Sequence, residues 1–126
     1  LLAEDDVRNV FALSRVLEPR GAKMEIARNG KEALSMLDKL GSAEQREGGI
    51  DIVLMDIMMP EMDGIAAMQA IRARPEWQKL PIIALTAKAM KDDQQKCLEA
   101  GASDYMAKPI DVEKLLSLLR VWMFKQ

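Results

Sequence analysis

Short apolar runs alternate along this chain with segments in which apolar residues recur every three or four positions. The short runs have the length of buried strands, and the spacing of three and four is that of one face of a helix. Glycine, proline or a capping residue marks most of the boundaries. The pattern predicts strands at residues 1–3, 24–27, 52–55, 82–85 and 104–107.

Each predicted strand is followed by a segment with helical periodicity. The first helix is predicted over residues 8–18 and ends at Pro19 and Gly21. Asn29 and Asp111 are predicted to cap the second and last helices, because such side chains accept hydrogen bonds from the first free amides of a helix. The apolar residues predicted to face the core are Val10, Leu13 and Leu17 in the first helix, Ala33, Leu34 and Leu37 in the second, Ile65, Met68 and Ile71 in the third, Cys97 in the fourth (residues 92–100), and Val112, Leu115, Leu119 and Trp122 or Met123 in the last.

Five strands, each followed by a helix, indicate an α/β fold with a parallel sheet covered on both faces. The polar, glycine-rich segment at residues 41–49 is predicted to be a loop. Doubly wound sheets of this kind bind their ligands at the carboxyl ends of the strands, where the strand order reverses. The residues that follow each strand are therefore the candidates for function.

Composition narrows the class of protein. The chain has 126 residues, which suits one domain, and a net charge of −2, which gives no basic surface for nucleic acid. No apolar run reaches the roughly 20 residues that a membrane helix needs. The single Cys97 cannot form an internal disulfide, and this favours a reducing, cytoplasmic location. Because the chain opens on Leu1 within a strand pattern, we expect a domain cut from a longer protein.

The absence of histidine excludes several kinds of site from this chain. A catalytic triad, a zinc site built on histidine and a histidine phosphodonor all require that residue. Polar residues collect instead at the predicted strand ends. They are Glu4, Asp5 and Asp6 after the first strand, Asp56 after the third, Thr86 after the fourth, and Lys108 after the fifth.

Carboxylates gathered in one crevice repel one another unless a cation neutralises them. Oxygen ligands without histidine or clustered cysteine favour Mg²⁺ over zinc. A metal, a lysine and a hydroxyl around one aspartate form a suitable environment for a phosphoryl group. Asp56 is the candidate nucleophile, with Lys108 and Thr86 contacting the phosphoryl oxygens.

Four motifs in this order resemble the receiver domain of two-component signalling, the phosphoacceptor module of response regulators and hybrid histidine kinases. They are EDD at residues 4–6, DIMMPEMDG at 56–64, LTA at 85–87 and YMAKP at 105–109. The resemblance implies a flavodoxin-like five-stranded parallel sheet in the order 2-1-3-4-5 with five helices. It covers the chain except the glycine-rich loop at 41–49, which is a few residues longer than is usual in the family. It therefore implies that residues 1–126 are one receiver domain, with the first strand shortened at its amino terminus.

The resemblance also implies roles for individual residues. Asp56 matches the phosphorylated aspartate, and the Lys108–Pro109 peptide bond is expected to be cis. Lys88 is expected to overhang the site, so that its replacement changes the phosphoryl lifetime. The other matched positions are Glu4 and Asp5 as Mg²⁺ ligands with Asp56, Met58 as a Mg²⁺ ligand through its backbone carbonyl, Thr86 and Lys108 as phosphoryl contacts, and Thr86 with Tyr105 as the switch pair.

Simpler interpretations exist for single residues. Asp56 alone could cap a turn at the end of a strand, and Thr86 alone could be an ordinary strand-end residue. Asp6 fits a helix cap better than a metal contact. Lys108 alone could be a solvated lysine, and Tyr105 a half-buried strand aromatic.

The expected function is a Mg²⁺-dependent switch that takes a phosphoryl group from a histidine kinase or a histidine phosphotransfer domain onto Asp56. The fourth helix, fifth strand and fifth helix would then report the change, and this face could also support a dimer. The segment DDVRNVFALSRVLE favours the carboxyl-terminal receiver of a hybrid kinase over a free-standing regulator. No contact of this domain with nucleic acid or membrane is expected, although the parent protein could be membrane-anchored.

Two alternative functions stay open. One is a receiver-like module that binds partners without phosphorylation. The other is a phosphatase that forms a phosphoaspartate, as in the haloacid dehalogenase family. That chemistry needs a second acid two residues after the nucleophile, and Met58 occupies that position. Enzymatic activity of the domain itself would be limited to its own phosphorylation and slow dephosphorylation.

Overall fold

The computed structural model describes residues 1–42, 49–87 and 90–124, with only the backbone given for residues 123 and 124. Five strands alternate with five helices, as the hydrophobic pattern predicts. Short 3₁₀ turns follow the first and third helices. The elements are β1 (Leu2–Ala3), α1 (Val7–Leu17), β2 (Ile26–Ala27), α2 (Gly30–Leu40), β3 (Val53–Asp56), α3 (Gly64–Arg72), β4 (Ile82–Thr86), α4 (Lys91–Ala100), β5 (Asp104–Ala107) and α5 (Val112–Phe124), with 3₁₀ turns at Glu18–Arg20 and Pro75–Trp77.

The strands form one parallel sheet in the order β2-β1-β3-β4-β5. This confirms the flavodoxin-like order that the resemblance implied. The chain moves to one side of β1 for β2 and to the other side for β3, so the strand order reverses at β1. A crevice at the carboxyl ends of β1 and β3 is the expected ligand site of such a sheet.

Two apolar clusters cover the two faces of the sheet, because successive residues of a strand point to opposite sides. In β3, Val53 and Met55 pack towards α2, α3 and α4, whereas Leu54 packs towards α1 and α5. Cys97 is buried in the first cluster, as predicted. Because the clusters cover both faces of the sheet, the carboxyl ends of the strands are the expected place for a ligand.

Side-chain caps begin α1, α2, α3 and α5, whereas α4 begins after Met90 without one. The side chain of Asn29 accepts a hydrogen bond from the amide of Glu32 at 2.9 Å, and Asp111 accepts one from the amide of Glu113 at 3.0 Å. Both predicted caps are therefore confirmed. Asp63 caps α3 in the same way.

The predicted apolar face of α5 is wrong at its first position. Val112 is 38% exposed, whereas Leu115 is fully buried. Leu119 and Trp122 are partly buried against the same cluster as Leu115. Val112 is the first residue of α5, one turn ahead of Leu115, so the apolar stripe in the sequence extends one turn beyond the part of the helix that the core covers.

Two predictions fall largely outside the described residues. The first is the glycine-rich loop predicted at 41–49, most of which the structure does not describe. Ser42 and Ile50, on either side of the undescribed part, form an isolated parallel bridge. The side chain of Met123 is also not described. Among the helices that the structure describes, none combines the length and apolar character needed to cross a membrane.

Candidate functional site

Asp56 is the last residue of β3, one residue beyond the predicted end of that strand. Its side chain is almost fully buried, at 3% exposure. The Oδ1 atom accepts hydrogen bonds from the amide of Met58 at 3.3 Å and from the Nζ atom of Lys108 at 3.1 Å. The apolar strand β3 thus ends in a buried carboxylate. Few hydrogen-bond donors replace the water molecules that this group would contact if it were exposed.

Glu4 follows β1 directly and is 1% exposed. Its amide continues the sheet by donating to the carbonyl of Ala27 at 2.9 Å. Its Oε1 atom accepts hydrogen bonds from Asn9 Nδ2 at 2.9 Å and from Lys108 Nζ at 3.0 Å. The Glu4 side chain is therefore held in place from α1 on one side and from the end of β5 on the other.

Lys108 follows β5 and contacts both buried carboxylates with one ammonium group. Its Nζ atom lies 3.0 Å from Glu4 Oε1 and 3.1 Å from Asp56 Oδ1. Its amide donates to the carbonyl of Thr86 at 2.7 Å, which fixes the start of the β5–α5 connection. The Lys108–Pro109 peptide bond is cis, as expected.

Burial and the hydrogen bonds of the two carboxyls shift their pKa values in opposite directions. Burial raises the pKa of Asp56 from 3.8 to about 7; the neighbouring Glu4 adds to the rise, and Lys108 opposes it. For Glu4, burial is outweighed by hydrogen bonds with Asp56, Lys108 and Asn9, so its pKa is lowered. At neutral pH, one proton is therefore partly retained by the pair, on the side of Asp56.

The pKa of Lys108 moves upwards for the same electrostatic reason. Burial alone would lower it, but the hydrogen bonds and charges of Glu4 and Asp56 outweigh burial and raise it. The Lys108 side chain is therefore protonated and positively charged at neutral pH. One ammonium group contacts two carboxyl groups, so the cleft has an excess of negative charge when both carboxyls are ionised. A further cation would neutralise that excess.

The carboxyl groups of Glu4, Asp5 and Asp56 can place one oxygen each within 4.8 Å of one another. Asp5 is exposed, whereas the other two are buried. Asp6 is not part of this group, and its side chain instead caps α1 through the amide of Arg8. Three hard oxygen donors without nitrogen or sulfur fit Mg²⁺.

The remaining predicted residues that the structure describes lie on β4 and β5 or close to Asp56 in the chain. Thr86 is the buried last residue of β4 and pairs with Ala107. Met58 has a side chain that is 74% exposed, so only its backbone faces Asp56. Tyr105 in β5 is partly buried and lines a groove of about 1050 Å³ between β5 and α5. Lys88 lies outside the described residues, and its effect on phosphoryl lifetime stays a prediction.

Two residues near the site were not predicted. Asn9 is the third residue of α1, and its Nδ2 atom donates to Glu4 Oε1 at 2.9 Å. Gly64 begins α3, and a Cβ atom there would lie 2.2 Å from the carbonyl oxygen of Asp56. The spacing from Glu4 to Asn9 is compatible with such a contact, but nothing in the residue types requires it. For Gly64 the sequence did contain an indication, because this glycine directly follows Asp63, an acidic residue of the kind that caps the start of a helix.

The sequence model of the family described as the response regulator receiver domain matches residues 1–120. The chain belongs to this family. Phosphoryl transfer is the general role of receiver domains, and they generally bind Mg²⁺.

Relatives of this receiver domain include larger signalling proteins. The chain is 37% identical over 119 residues to the signal transduction histidine-protein kinase BarA of Escherichia coli K12. The alignment covers 94% of this chain and 12% of that kinase, so the chain spans about an eighth of its relative.

Solved receiver domains have the same fold. One is the receiver domain of the sensor histidine kinase PA1611 from Pseudomonas aeruginosa, described with a magnesium ion in its active site cleft. It is 35% identical at a TM-score of 0.80, with 97% of this chain and 93% of that chain covered. Another is the Saccharomyces cerevisiae receiver domain of Ssk1 in complex with the phosphotransfer protein Ypd1, at 28% identity and a TM-score of 0.83, with coverages of 96% and 85%.

Proposed function

We propose that this receiver domain takes a phosphoryl group onto Asp56 from a phosphohistidine of a kinase or of a phosphotransfer domain. The observation that carries the proposal is the set of contacts around Asp56. A buried carboxylate lies beside a second one, and a single lysine ammonium contacts both, at 3.0 and 3.1 Å. A strand-end residue that only capped a turn would not need these partners.

The transfer step requires Asp56 in its ionised form. One of its oxygens forms a bond to phosphorus while the bond between phosphorus and the donor imidazole nitrogen breaks. The electron pair of that bond stays on the imidazole, which takes up a proton from solvent. The product is an acyl phosphate on Asp56.

Lys108 and Thr86 are the proposed phosphoryl contacts. The Lys108 ammonium already lies 3.1 Å from Asp56 Oδ1, so a phosphoryl group on Asp56 would be within its reach. Thr86 ends the strand that neighbours β3 and has a hydroxyl that can donate to a phosphoryl oxygen. The Lys108 ammonium is held by Glu4 and Asp56 before the reaction, and the backbone of Thr86 is held in β4, so both donors start close to the position where charge develops.

Glu4, Asp5 and Asp56 are the proposed side-chain ligands of Mg²⁺, with the backbone carbonyl of Met58 as a fourth. When bound, Mg²⁺ would neutralise carboxylate charge and the charge on the phosphoryl oxygens. Burial and Glu4 raise the pKa of Asp56 and so disfavour its ionised, nucleophilic form. A bound cation would favour that form, and this supports the proposed metal site.

The face formed by α4, β5 and α5 is the proposed reporter of phosphorylation, with Thr86 and Tyr105 as the switch pair. Tyr105 is partly buried and lines the groove beside α5, so a change in its position would alter that surface. We further propose that residues 1–126 form one receiver domain, that it belongs to a hybrid histidine kinase in the cytoplasm, and that the same face can support a dimer.

The test is intact mass spectrometry after incubation with acetyl phosphate and MgCl₂. A gain of one phosphoryl group is expected, and it should be lost in Asp56→Asn and in the presence of EDTA. A second arm replaces acetyl phosphate with a phosphorylated histidine phosphotransfer domain. No gain in either arm, with the protein shown to be folded, would overturn the proposal in favour of a module that acts without phosphorylation.

A further inference from the structure

The loop between β3 and α3, residues 57–63, follows Asp56 directly and contains an unfavourable backbone conformation. Glu61 has a φ of 63°, in the left-handed region that disfavours residues with a side chain. Such a conformation persists only where the surrounding structure holds it. The contacts that hold Glu61 are therefore of interest, because the same loop borders the proposed nucleophile.

The side chain of Asn29 contacts Glu61 from the end of β2. Its Nδ2 atom donates to Glu61 Oε2 at 3.2 Å, while its Oδ1 atom accepts from the amide of Glu32 at 2.9 Å. Asn29 is 7% exposed, whereas Glu61 is exposed, so both bonds are partly buried and start from a buried amide group. One amide group thus caps α2 with its oxygen and fixes the β3–α3 loop with its nitrogen.

The next residue adds a backbone contact to the same loop. The amide of Gly30 donates to the carbonyl of Met62 at 2.9 Å. A Cβ atom at Gly30 would lie 2.7 Å from Met62 Cγ and 2.8 Å from Met62 O. The start of α2 and the β3–α3 loop therefore approach as closely as a glycine allows.

The opposite end of the loop reaches the proposed site. The amide of Met58 donates to Asp56 Oδ1 at 3.3 Å, and the amide of Gly64 donates to the carbonyl of Ile57 at 3.0 Å. Only three peptide units join Glu61 to Met58, so the backbone conformation at Glu61 limits where the Met58 amide can lie. The orientation of Met58 at Asp56 thus depends on what holds Glu61.

We propose that Asn29 and Glu61 are positioning residues of the phosphorylation site. Their hydrogen bond keeps the β3–α3 loop in the conformation that places the Met58 backbone at Asp56. This inference rests on the proposed function for its effect on phosphorylation. Its effect on the loop itself and on Mg²⁺ affinity does not require phosphorylation.

The test uses variants that separate the loop contact from the helix cap. Asn29→Asp keeps an oxygen that caps α2 but replaces the amide donor with a carboxylate that faces Glu61. Glu61→Gln is the matched control, because it keeps an acceptor for Asn29. The double variant Asn29→Asp/Glu61→Gln restores the hydrogen bond with donor and acceptor exchanged.

Three quantities are measured: amide hydrogen exchange of residues 57–63 without metal, Mg²⁺ affinity from an NMR titration with MgCl₂, and the rate of modification by acetyl phosphate. In Asn29→Asp, exchange in the loop should rise about tenfold, and Mg²⁺ affinity and the rate should each fall about fivefold. The double variant and Glu61→Gln should lie within about twofold of wild type.

Unchanged loop exchange and Mg²⁺ affinity in Asn29→Asp would overturn the proposal. The proposal would also be overturned if the single and double variants lost equal thermal stability while their Mg²⁺ affinity stayed unchanged. The pair would then stabilise the fold without positioning the site. If Asn29→Asp fails to fold, Glu61→Ala removes the same bond without altering the cap, and the same three outcomes apply. If wild type is never modified, the proposed function fails, while loop exchange and Mg²⁺ affinity still decide the role of the pair.

Discussion

Replacing Asp56 by asparagine is expected to make the metal-free protein more stable at neutral pH. Asparagine has the shape of the protonated carboxyl but cannot ionise. Burial and Glu4 raise the pKa of Asp56 from 3.8 to about 7, so ionising this group costs free energy in the folded state only. The substitution removes that cost.

The pKa shift sets the magnitude and its pH dependence. If the whole rise in pKa from 3.8 to about 7 applied, ionising Asp56 would cost about 4 kcal/mol more in the folded state than in the unfolded state. The cleft is open to water beside the exposed Asp5, which screens part of the cost, so we expect about 2 kcal/mol at pH 8. Only well below pH 3.8 is the carboxyl protonated in both states, so the gain is small at pH 4 and vanishes at lower pH. It grows as the pH rises from about 4 to about 7, because the unfolded chain loses the proton first.

Urea denaturation at pH 4 and pH 8, in EDTA, measures this difference. At pH 8 the midpoint of thermal unfolding should also rise by about 8 °C. Asp51→Asn is the matched control, because it removes the same charge at an exposed position just before β3. A gain for Asp56→Asn that is absent at pH 8, or equal at both pH values, would refute the reasoning.

Three further outcomes are expected. Saturating MgCl₂ should raise the thermal midpoint of wild type but much less that of Asp56→Asn, as calorimetry would show; equal shifts would place the metal elsewhere. Gly64→Ala should lower the free energy of unfolding by about 3 kcal/mol in urea, because the new Cβ would lie 2.2 Å from the carbonyl oxygen of Asp56; an unchanged midpoint would contradict this. Arg72→Met should cost about 3 kcal/mol in the same assay, because it removes donors at 2.8 Å from the carbonyl of Gly101 and 2.7 Å from that of Trp77. A cost below about 1 kcal/mol would mean that water replaces the guanidinium.

Local patterns were sufficient to predict the elements of this fold. Buried strands gave continuous apolar runs, and helices gave apolar stripes, because the sheet is covered on both faces. Boundaries differed by a residue or two, as for β3, which includes Asp56. Val112 was misplaced because periodicity shows which face of a helix is apolar but not how far the core extends along it.

The members of the candidate site were predictable as strand-end residues, and the structure brings Glu4, Asp5, Asp56 and Lys108 together. Their arrangement was predictable because parallel strands end at one edge. The supporting contacts were not. The partner of Asn29 is 32 positions away in sequence, and no local pattern indicates which loop its amide will meet.

The hydrogen bond between Lys108 and Glu4 joins residues 104 positions apart in the chain. During synthesis, the acidic residues of the cleft leave the ribosome long before the lysine does. A nascent chain that ends before β5 contains Glu4 and Asp56 but lacks the ammonium group that contacts both, and repulsion between the two carboxylates opposes the closing of the cleft. Lys108, which follows the last strand, supplies the ammonium group that contacts both carboxyls. The charge balance of the cleft is therefore completed only when residue 108 has been made, late in the synthesis of this domain.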